Sequence, residues 1–306
     1  MTAYILRRLL ATIPVMVVVA VFVFFLLRLA PGDPAAIIAG EDATADQIAA
    51  VHHKLGLDRP ILEQFVVWIA GMLQGDFGTS IFSNLPVSRL ILQRLEPTVS
   101  LTLSTLLVAV CLAIPLGVLA AVRPNSFADR FALTLAVIGQ AMPSFWFALT
   151  LILWLGVVWR LLPITGSDSW QNFVMPAIAL GYYVTPAVMR LTRAGVIEVL
   201  SSDYIRTARA KGLRPMTVLF KHALRNAIIP VVSLTAVQFG FMLGGSIVIE
   251  TIFQINGLGY LAWESIQRKD LPTMQAIVLV LSVIYVLLTL LADLLNAFLD
   301  PRLRVA

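Results

Sequence analysis

Residues 99–122 read VSLTLSTLLVAVCLAIPLGVLAAV, 24 consecutive positions without a charged side chain. As a helix, a run of about 20 such residues crosses the hydrocarbon core of a bilayer. In lipid every backbone N–H and C=O needs an internal partner, so the run is either a helix or a strand of a closed barrel. Barrel strands alternate polar and apolar side chains over about ten residues. Residues 15–27, VMVVVAVFVFFLL, show no such alternation, and helices are the solution that remains.

Five further uncharged stretches occur, at 9–27, 131–159, 170–189, 226–249 and 271–292. With their terminal residues included, the expected spans are 9–29, 99–122, 131–159, 170–190, 226–249 and 271–293. The sequence therefore predicts an all-α polytopic membrane protein with six transmembrane helices. Composition agrees. Of 306 residues, 59% are apolar and 13% charged, against about 25% charged in an ordinary soluble domain. Such a chain cannot cover itself with polar surface, and it is too apolar for disorder. The single Cys111 excludes an internal disulfide framework and a Cys-rich metal site.

The spans differ in character. The third, at 29 residues, is long enough to tilt, and Met142-Pro143 would kink it. The fourth carries Gln171, Asn172, Pro176, Gly181 and Pro186, as a closely packed helix or one lining a pathway would. Arg7 and Arg8 precede the first span as they would a signal peptide. The apolar run is too long for one, and Arg28-Leu29-Ala30 breaks the cleavage pattern, so an uncleaved helix is expected.

Charge orients the spans. With both termini in the cytoplasm, 14 basic and four acidic residues lie inside, against seven basic and 11 acidic outside. The positive-inside bias selects this arrangement. The net charge of +5 is then mostly topology rather than a nucleic-acid surface. Two loops are long. The outer one, 31–97, holds the turn Pro31-Gly32-Asp33-Pro34 and helical pieces at 45–55 and 65–73. The piece at 65–73 is apolar but too short to span, so it lies on the interface or caps the outer mouth. The chain thus divides into residues 1–98, the first helix with its outer loop, and a core of residues 99–306. The inner segment 191–225 belongs to that core.

Within the inner segment, Ser201, Ser202 and Asp203 offer N-caps and a first-turn acid for a short helix at 204–211. Gly212 is its expected C′ residue, and Pro215 opens a second helix leading to the fifth span. The elbow presents Arg206, Arg209 and Lys211, with Ala208 and Ala210 small enough for another backbone to approach. Anionic headgroups would also attract this charge, but a capped helix with small residues favours a protein partner.

Other residues are weaker candidates. Glu250, at the outer end of the fifth span, is a functional candidate by depth; equally, it could be a paired residue holding the outer gate or the following loop. Gln238 and Tyr182, polar groups of the fifth and fourth spans, join it as pathway or gate candidates. Asp293 suits a structural role, and Arg28 can snorkel to the interface. Adjacent His52 and His53 point apart on a helix and make a poor metal pair. Cys111 reads as a packing residue, and Gly244-Gly245-Ser246 could let helices approach. No catalytic, metal or cofactor-binding set is expected.

At this point a resemblance enters. Asp203-Tyr204-Ile205-Arg206-Thr207-Ala208-Arg209-Ala210-Lys211-Gly212, then Lys221-His222-Ala223-Leu224-Arg225-Asn226-Ala227 and Pro230, resembles the cytoplasmic loop of ABC import permeases, in their dipeptide/oligopeptide/nickel branch. The general loop motif begins Glu-Ala-Ala, with Gly four residues after the second Ala. Here those positions are Arg206, Thr207, Ala208 and Gly212, so the Glu is absent, and the Pro lies further downstream. Both departures fit the peptide branch. Ile5-Leu6-Arg7-Arg8-Leu9-Leu10, Pro31-Gly32-Asp33-Pro34, Leu55-Gly56-Leu57-Asp58 and Gly75-Asp76-Phe77-Gly78 follow that branch in order. So do Glu250-Thr251-Ile252-Phe253, Gly257-Leu258-Gly259 and Asp300-Pro301-Arg302. Gly166-Ser167-Asp168-Ser169-Trp170 and Gln238-Phe239-Gly240-Phe241 look most like permeases assigned to glutathione or dipeptides.

The resemblance implies a type I ABC importer permease in a bacterial plasma (inner) membrane, carrying small peptides, with nickel or another small solute as the alternative cargo. It implies a second homologous permease subunit, two ABC ATPases that hold ATP-Mg, and an extracytoplasmic substrate-binding protein facing the outer loop. Tyr204, Arg206, Thr207, Ala208, Arg209, Ala210, Lys211 and Gly212 would couple to an ATPase. A secondary transporter would instead show charges at mid-membrane or inverted repeats, and an intramembrane enzyme would show paired catalytic groups. Neither pattern is present, and no Gly-x-x-x-x-Gly-Lys-[Ser/Thr] loop occurs, so ATP must bind other chains.

Overall fold

A computed structural model describes residues 2–29, 33–40 and 43–299. The expected features at Pro31-Gly32 and Asp300-Pro301-Arg302, and the side chain of Arg28, lie outside the described residues. Helix α1 is Thr2–Leu29, followed by three shorter helices, α2 (Pro34–Ala39), α3 (Ala45–Leu55) and α4 (Ile61–Leu73). Then come α5 (Val87–Val122), α6 (Phe127–Ala141), α7 (Ser144–Leu151) and a π-helical turn at Ile152–Val158. Helices α8 (Val174–Leu200), α9 (Asp203–Ala210) and α10 (Pro215–Thr217) lead to a second π-helical stretch, Val218–Leu224. The chain ends through α11 (Arg225–Ala227), α12 (Ile229–Gly245), α13 (Ile247–Phe253), α14 (Leu258–Gln267) and α15 (Leu271–Leu299).

The centre is the contact between α5 and α8, which run parallel. A Cβ at Gly117 would stand 2.8 Å from the Met189 carbonyl oxygen, and one at Gly181 would stand 3.1 Å from that of Thr105. These two glycines let the backbones approach one turn from contact, as small residues do between helices in lipid. Around them lies a core of small residues, Ala109, Ala113, Ala120, Ala132 and Ala136, with Val184, Val188 and Met242. Three buried hydroxyls bond back within their own helices: Thr102 donates to the Thr98 carbonyl, Thr185 to Gly181 and Thr192 to Val188; Thr105 Oγ1, equally buried, has no hydrogen-bond partner among the described residues. On the far side α12 packs on α15, where a Cβ at Gly240 would meet the Tyr285 ring at 3.0 Å. Arg8 of α1 and Asp293 of α15 pair at 2.8 Å, which gives Asp293 its structural role.

Three helical segments are individually long and apolar enough to cross a membrane: Val87–Val122, Trp170–Leu200 and Leu271–Leu294. Two bent pairs do so together, and the apolar part of α1 runs Leu10–Phe25. The third span differs from the single kinked helix expected at 131–159. It breaks at Met142-Pro143, and the two halves meet at 100°. Pro143 cannot donate to the helix ladder and drives Met142 to extended backbone, φ −82° and ψ 130°. The fifth span also breaks, by 50° at Ile228, because Pro230 has no N–H to offer the Asn226 carbonyl. Helices α5 and α8 overrun the uncharged stretches, starting 12 residues earlier and ending ten residues later than 99 and 190. A charge marks the edge of the membrane, not the end of a helix.

Candidate functional site

The elbow is built from α9 and the π-helical stretch after it. Ile205 and Ala208, three apart and hence on one face, are buried against Val218 and Ala223, with Val199 and Leu200 alongside. Tyr204, Arg206, Thr207, Arg209, Ala210 and Lys211 are exposed. Ala208 thus fills the elbow's own core rather than offering room to another backbone. The helix starts differently from the simple cap expected: the Ser202 hydroxyl donates to the Val199 carbonyl at 2.6 Å and caps nothing. Its end is as the residue type demands. Gly212 has φ +75°, a left-handed conformation that costs an L side chain about 1–2 kcal/mol. The Gly212 N–H donates to Arg209 at 2.9 Å, and nothing lies within 4 Å of where its Cβ would be.

One side chain ties α9 to the chain beyond it, and an ion pair joins the helices that precede it. The Tyr204 hydroxyl accepts from Asn226 Nδ2 at 2.8 Å and donates to the His222 carbonyl at 3.4 Å. Asp129, at the start of α6, takes both Nε and Nη2 of Arg193 on α8, at 2.7 and 2.8 Å, and the Asn125 N–H at 2.8 Å. The Arg193 guanidinium holds the Asp129 carboxyl below the ordinary carboxylate value, against the opposing effect of burial. Arg209, Lys211 and Arg214, by contrast, form no ion pair among the described residues, which leaves a cationic face on α9.

Glu250 lies at the opposite end of the fold and is 0% exposed. Its Oε1 accepts from the hydroxyls of Thr98, at 2.9 Å, and Ser246, at 2.8 Å, and its Oε2 from the Tyr260 N–H at 2.9 Å. Thr98 Oγ1 in turn accepts from the Leu258 N–H at 2.7 Å. One carboxylate and one hydroxyl thereby join α5, α13 and the start of α14. Gly257 and Gly259 are required here: a Cβ at Gly257 would strike Thr98 Oγ1 and Glu250 Oε2, and one at Gly259 the backbone of Ile247. A second clamp stands beside it. Buried Asp270 accepts from the Ser80 hydroxyl at 2.5 Å, the Ile81 N–H at 3.1 Å and the Thr273 hydroxyl at 2.8 Å.

The three pathway candidates do not converge. Glu250 is spent on the clamp. The Tyr182 hydroxyl donates to the Met142 carbonyl at 2.5 Å, and its ring packs edge-on to Phe147, so it seals the broken third span. Gln238 is half-buried on α12 and makes no side-chain hydrogen bond among the described residues. Among the described residues, nothing lies within 4 Å of where a Cβ at Gly244 or Gly245 would be. Thr98, Ser80 and Asp270 are not singled out by the sequence, and Ser246 is named there only beside Gly244 and Gly245; a hydroxyl such as Thr98 in a helical run looks self-satisfied. No group of three His, Cys, Asp or Glu side chains able to hold a metal ion occurs among the described residues.

Comparison with known proteins accounts for this layout. Residues 113–305 match the binding-protein-dependent transport system inner membrane component, and residues 1–102 match its N-terminal companion. The glutathione transport system permease protein GsiC of Salmonella typhimurium is 46% identical over 304 residues, 99% of each chain. A probable peptide ABC transporter permease protein of Sinorhizobium fredii is 42% identical over 312 residues, 99% of this chain and 100% of that one. The fold is similar to a chain of the inward-facing MetNI methionine ABC transporter, with TM-score 0.59 and 18% identity, over 69% of this chain and 96% of that one. It is also similar to an amino acid ABC transporter, with TM-score 0.52 and 17% identity, over 70% and 94%. With both family regions matched in order and relatives aligned from end to end, the chain belongs to the inner-membrane components of binding-protein-dependent transport systems, a multi-pass transport subunit rather than a catalyst.

Proposed function

We propose that this chain forms half of the translocation pathway of an ATP-driven importer for small peptides, dipeptides or glutathione among them. It crosses the membrane six times with both termini in the cytoplasm, and a second homologous permease supplies the other half. Two partner ATPases bind ATP-Mg and receive α9 in a surface groove. The outer loop, with α2, α3 and α4, faces the binding protein that delivers cargo. ATP acts by population shift: it binds the closed ATPase pair better than the open one, and the coupling helices carry that preference to the permease halves.

The observation that carries this reading is α9 itself. It is short, seated on its own apolar pad and closed by a left-handed glycine, and it turns Arg209 and the following Lys211 outward with no ion pair among the described residues. The 46% identity to a glutathione permease over the whole chain supports the cargo class. The test is reconstitution in proteoliposomes with the second permease, the ATPases and the binding protein. Expected is uptake of glutathione or a dipeptide that requires ATP inside and the binding protein outside. Uptake driven by an ion gradient without the ATPases would refute it, and uptake of nickel alone would overturn the cargo.

A further inference from the structure

We propose that Tyr204 and Asn226 are positioning residues, a polar strap that carries displacement of α9 into the fifth span. The proposal rests on reading α9 as the helix that docks on the ATPase. The apolar pad joins α9 to Val218 and Ala223, both well before the bend at Ile228. The Asn226 Nδ2 to Tyr204 Oη bond, 2.8 Å long, reaches two residues from that bend and across 22 residues of chain. Asn226 is also the residue whose carbonyl Pro230 cannot serve, so the strap grips the helix where its own ladder is interrupted. Both partners are exposed. A hydrogen bond in water contributes little to stability, and its place here is not explained by holding the fold together. It is directional where the pad is not: apolar contacts resist separation, while a bond of fixed length resists a change of angle between α9 and the root of α12.

The test uses the complete transporter in proteoliposomes and reads substrate moved per ATP hydrolysed. Tyr204→Phe keeps the ring and loses the hydroxyl; Asn226→Leu keeps the volume and loses the donor. Each single variant is expected to lower transport per ATP roughly threefold to tenfold, and the double variant to be no worse than either, because both remove the same bond. Coupling at the wild-type ratio in the singles, or losses that add in the double, would overturn the strap. Cysteine cross-linking of Arg209→Cys to the ATPase, in a Cys111→Ser background, separates the two levels. A cross-link together with wild-type coupling in the strap variants refutes the strap and leaves the docking reading standing. Absence of any cross-link refutes the docking reading and the strap with it.

Discussion

Thr98→Val is the sharpest probe of the outer clamp. The substitution exchanges one hydroxyl for a methyl of similar volume, so packing changes little and hydrogen bonding changes entirely. Thr98, Glu250 and Leu258 are 0%, 0% and 1% exposed, and water cannot replace what is lost. Three bonds disappear: the donation to Glu250, the acceptance from the Leu258 N–H, and a longer donation to the Arg94 carbonyl of its own helix at 3.4 Å. The second leaves an orphan donor in the first turn of α14, which costs about 1–3 kcal/mol when buried. The carboxylate keeps Ser246 and Tyr260 and loses less. Together the change destabilises by about 2–4 kcal/mol. Thr98→Ser is the control: it keeps these bonds and gives up one methyl, about 0.8 kcal/mol. The assay is thermal unfolding of the purified protein in nanodiscs, followed by tryptophan fluorescence. The valine variant should melt several degrees below the serine variant. Equal midpoints would show that the hydroxyl holds nothing and that the clamp is not a clamp.

Gly212→Val forces a β-branched residue to φ +75° with free space around its side chain, so the effect is purely on the backbone. Membrane insertion should persist while substrate-stimulated ATP hydrolysis is lost; normal stimulation in the reconstituted complex would refute the role. Asp129→Asn removes the charge from a two-point contact with Arg193 and should cost about 1.5–3 kcal/mol at neutral pH. Because the folded carboxyl titrates below its ordinary value of 3.8, the wild type's advantage is full above that value and fades as pH falls through it. An unchanged gap between pH 7 and pH 3 melts would contradict this. Tyr182→Phe keeps the contact with Phe147 and loses the bond to Met142, so it should destabilise by about 1 kcal/mol and leave the KM for substrate unchanged. A changed KM at unchanged stability would put Tyr182 in the pathway instead.

How far the sequence led depends on how local each cause is. Uncharged runs located the helices because the cost of burying charge in lipid applies residue by residue. The uncharged runs do not mark the ends of α5 and α8, because Arg89, Arg94 and Glu96, or Arg190, Arg193 and Glu198, suit a helix in water as well as any residues do. Met142-Pro143 announces a bend, but not its 100°, nor that the Met142 carbonyl is served by the Tyr182 hydroxyl, 40 residues away. Gly212 was legible because a left-handed residue is a local demand. The partners of Glu250 were not: Thr98 stands 152 residues earlier, and nothing in its neighbours distinguishes it from Thr102, which merely bonds back to its own helix. Ala208 was misjudged on size when the Ile205–Ala208 spacing already placed it on the inner face.

The polar bonds are distributed unequally, and that has a mechanical consequence on the proposed topology. At the outer end Glu250 and Asp270 reach across 152 and 190 residues to bind hydroxyls and backbone N–H groups without any cation. Three helices and a loop are thereby fixed to one another by directional bonds in a dry interior. At the inner end the elbow is held by a small apolar pad, one glycine and one exposed strap, just before a 50° bend. Close-packed interiors shift between discrete arrangements rather than deform continuously. A push on α9 therefore cannot dissipate within the outer cap. On that reading it would be taken up first at the 50° bend, and whatever passes beyond it would reach α12, α13 and the α5 clamped to them. Loosening the clamp and loosening the strap should consequently fail in different ways: the first lowers stability throughout the outer cap, and the second leaves stability intact while less substrate moves per ATP hydrolysed.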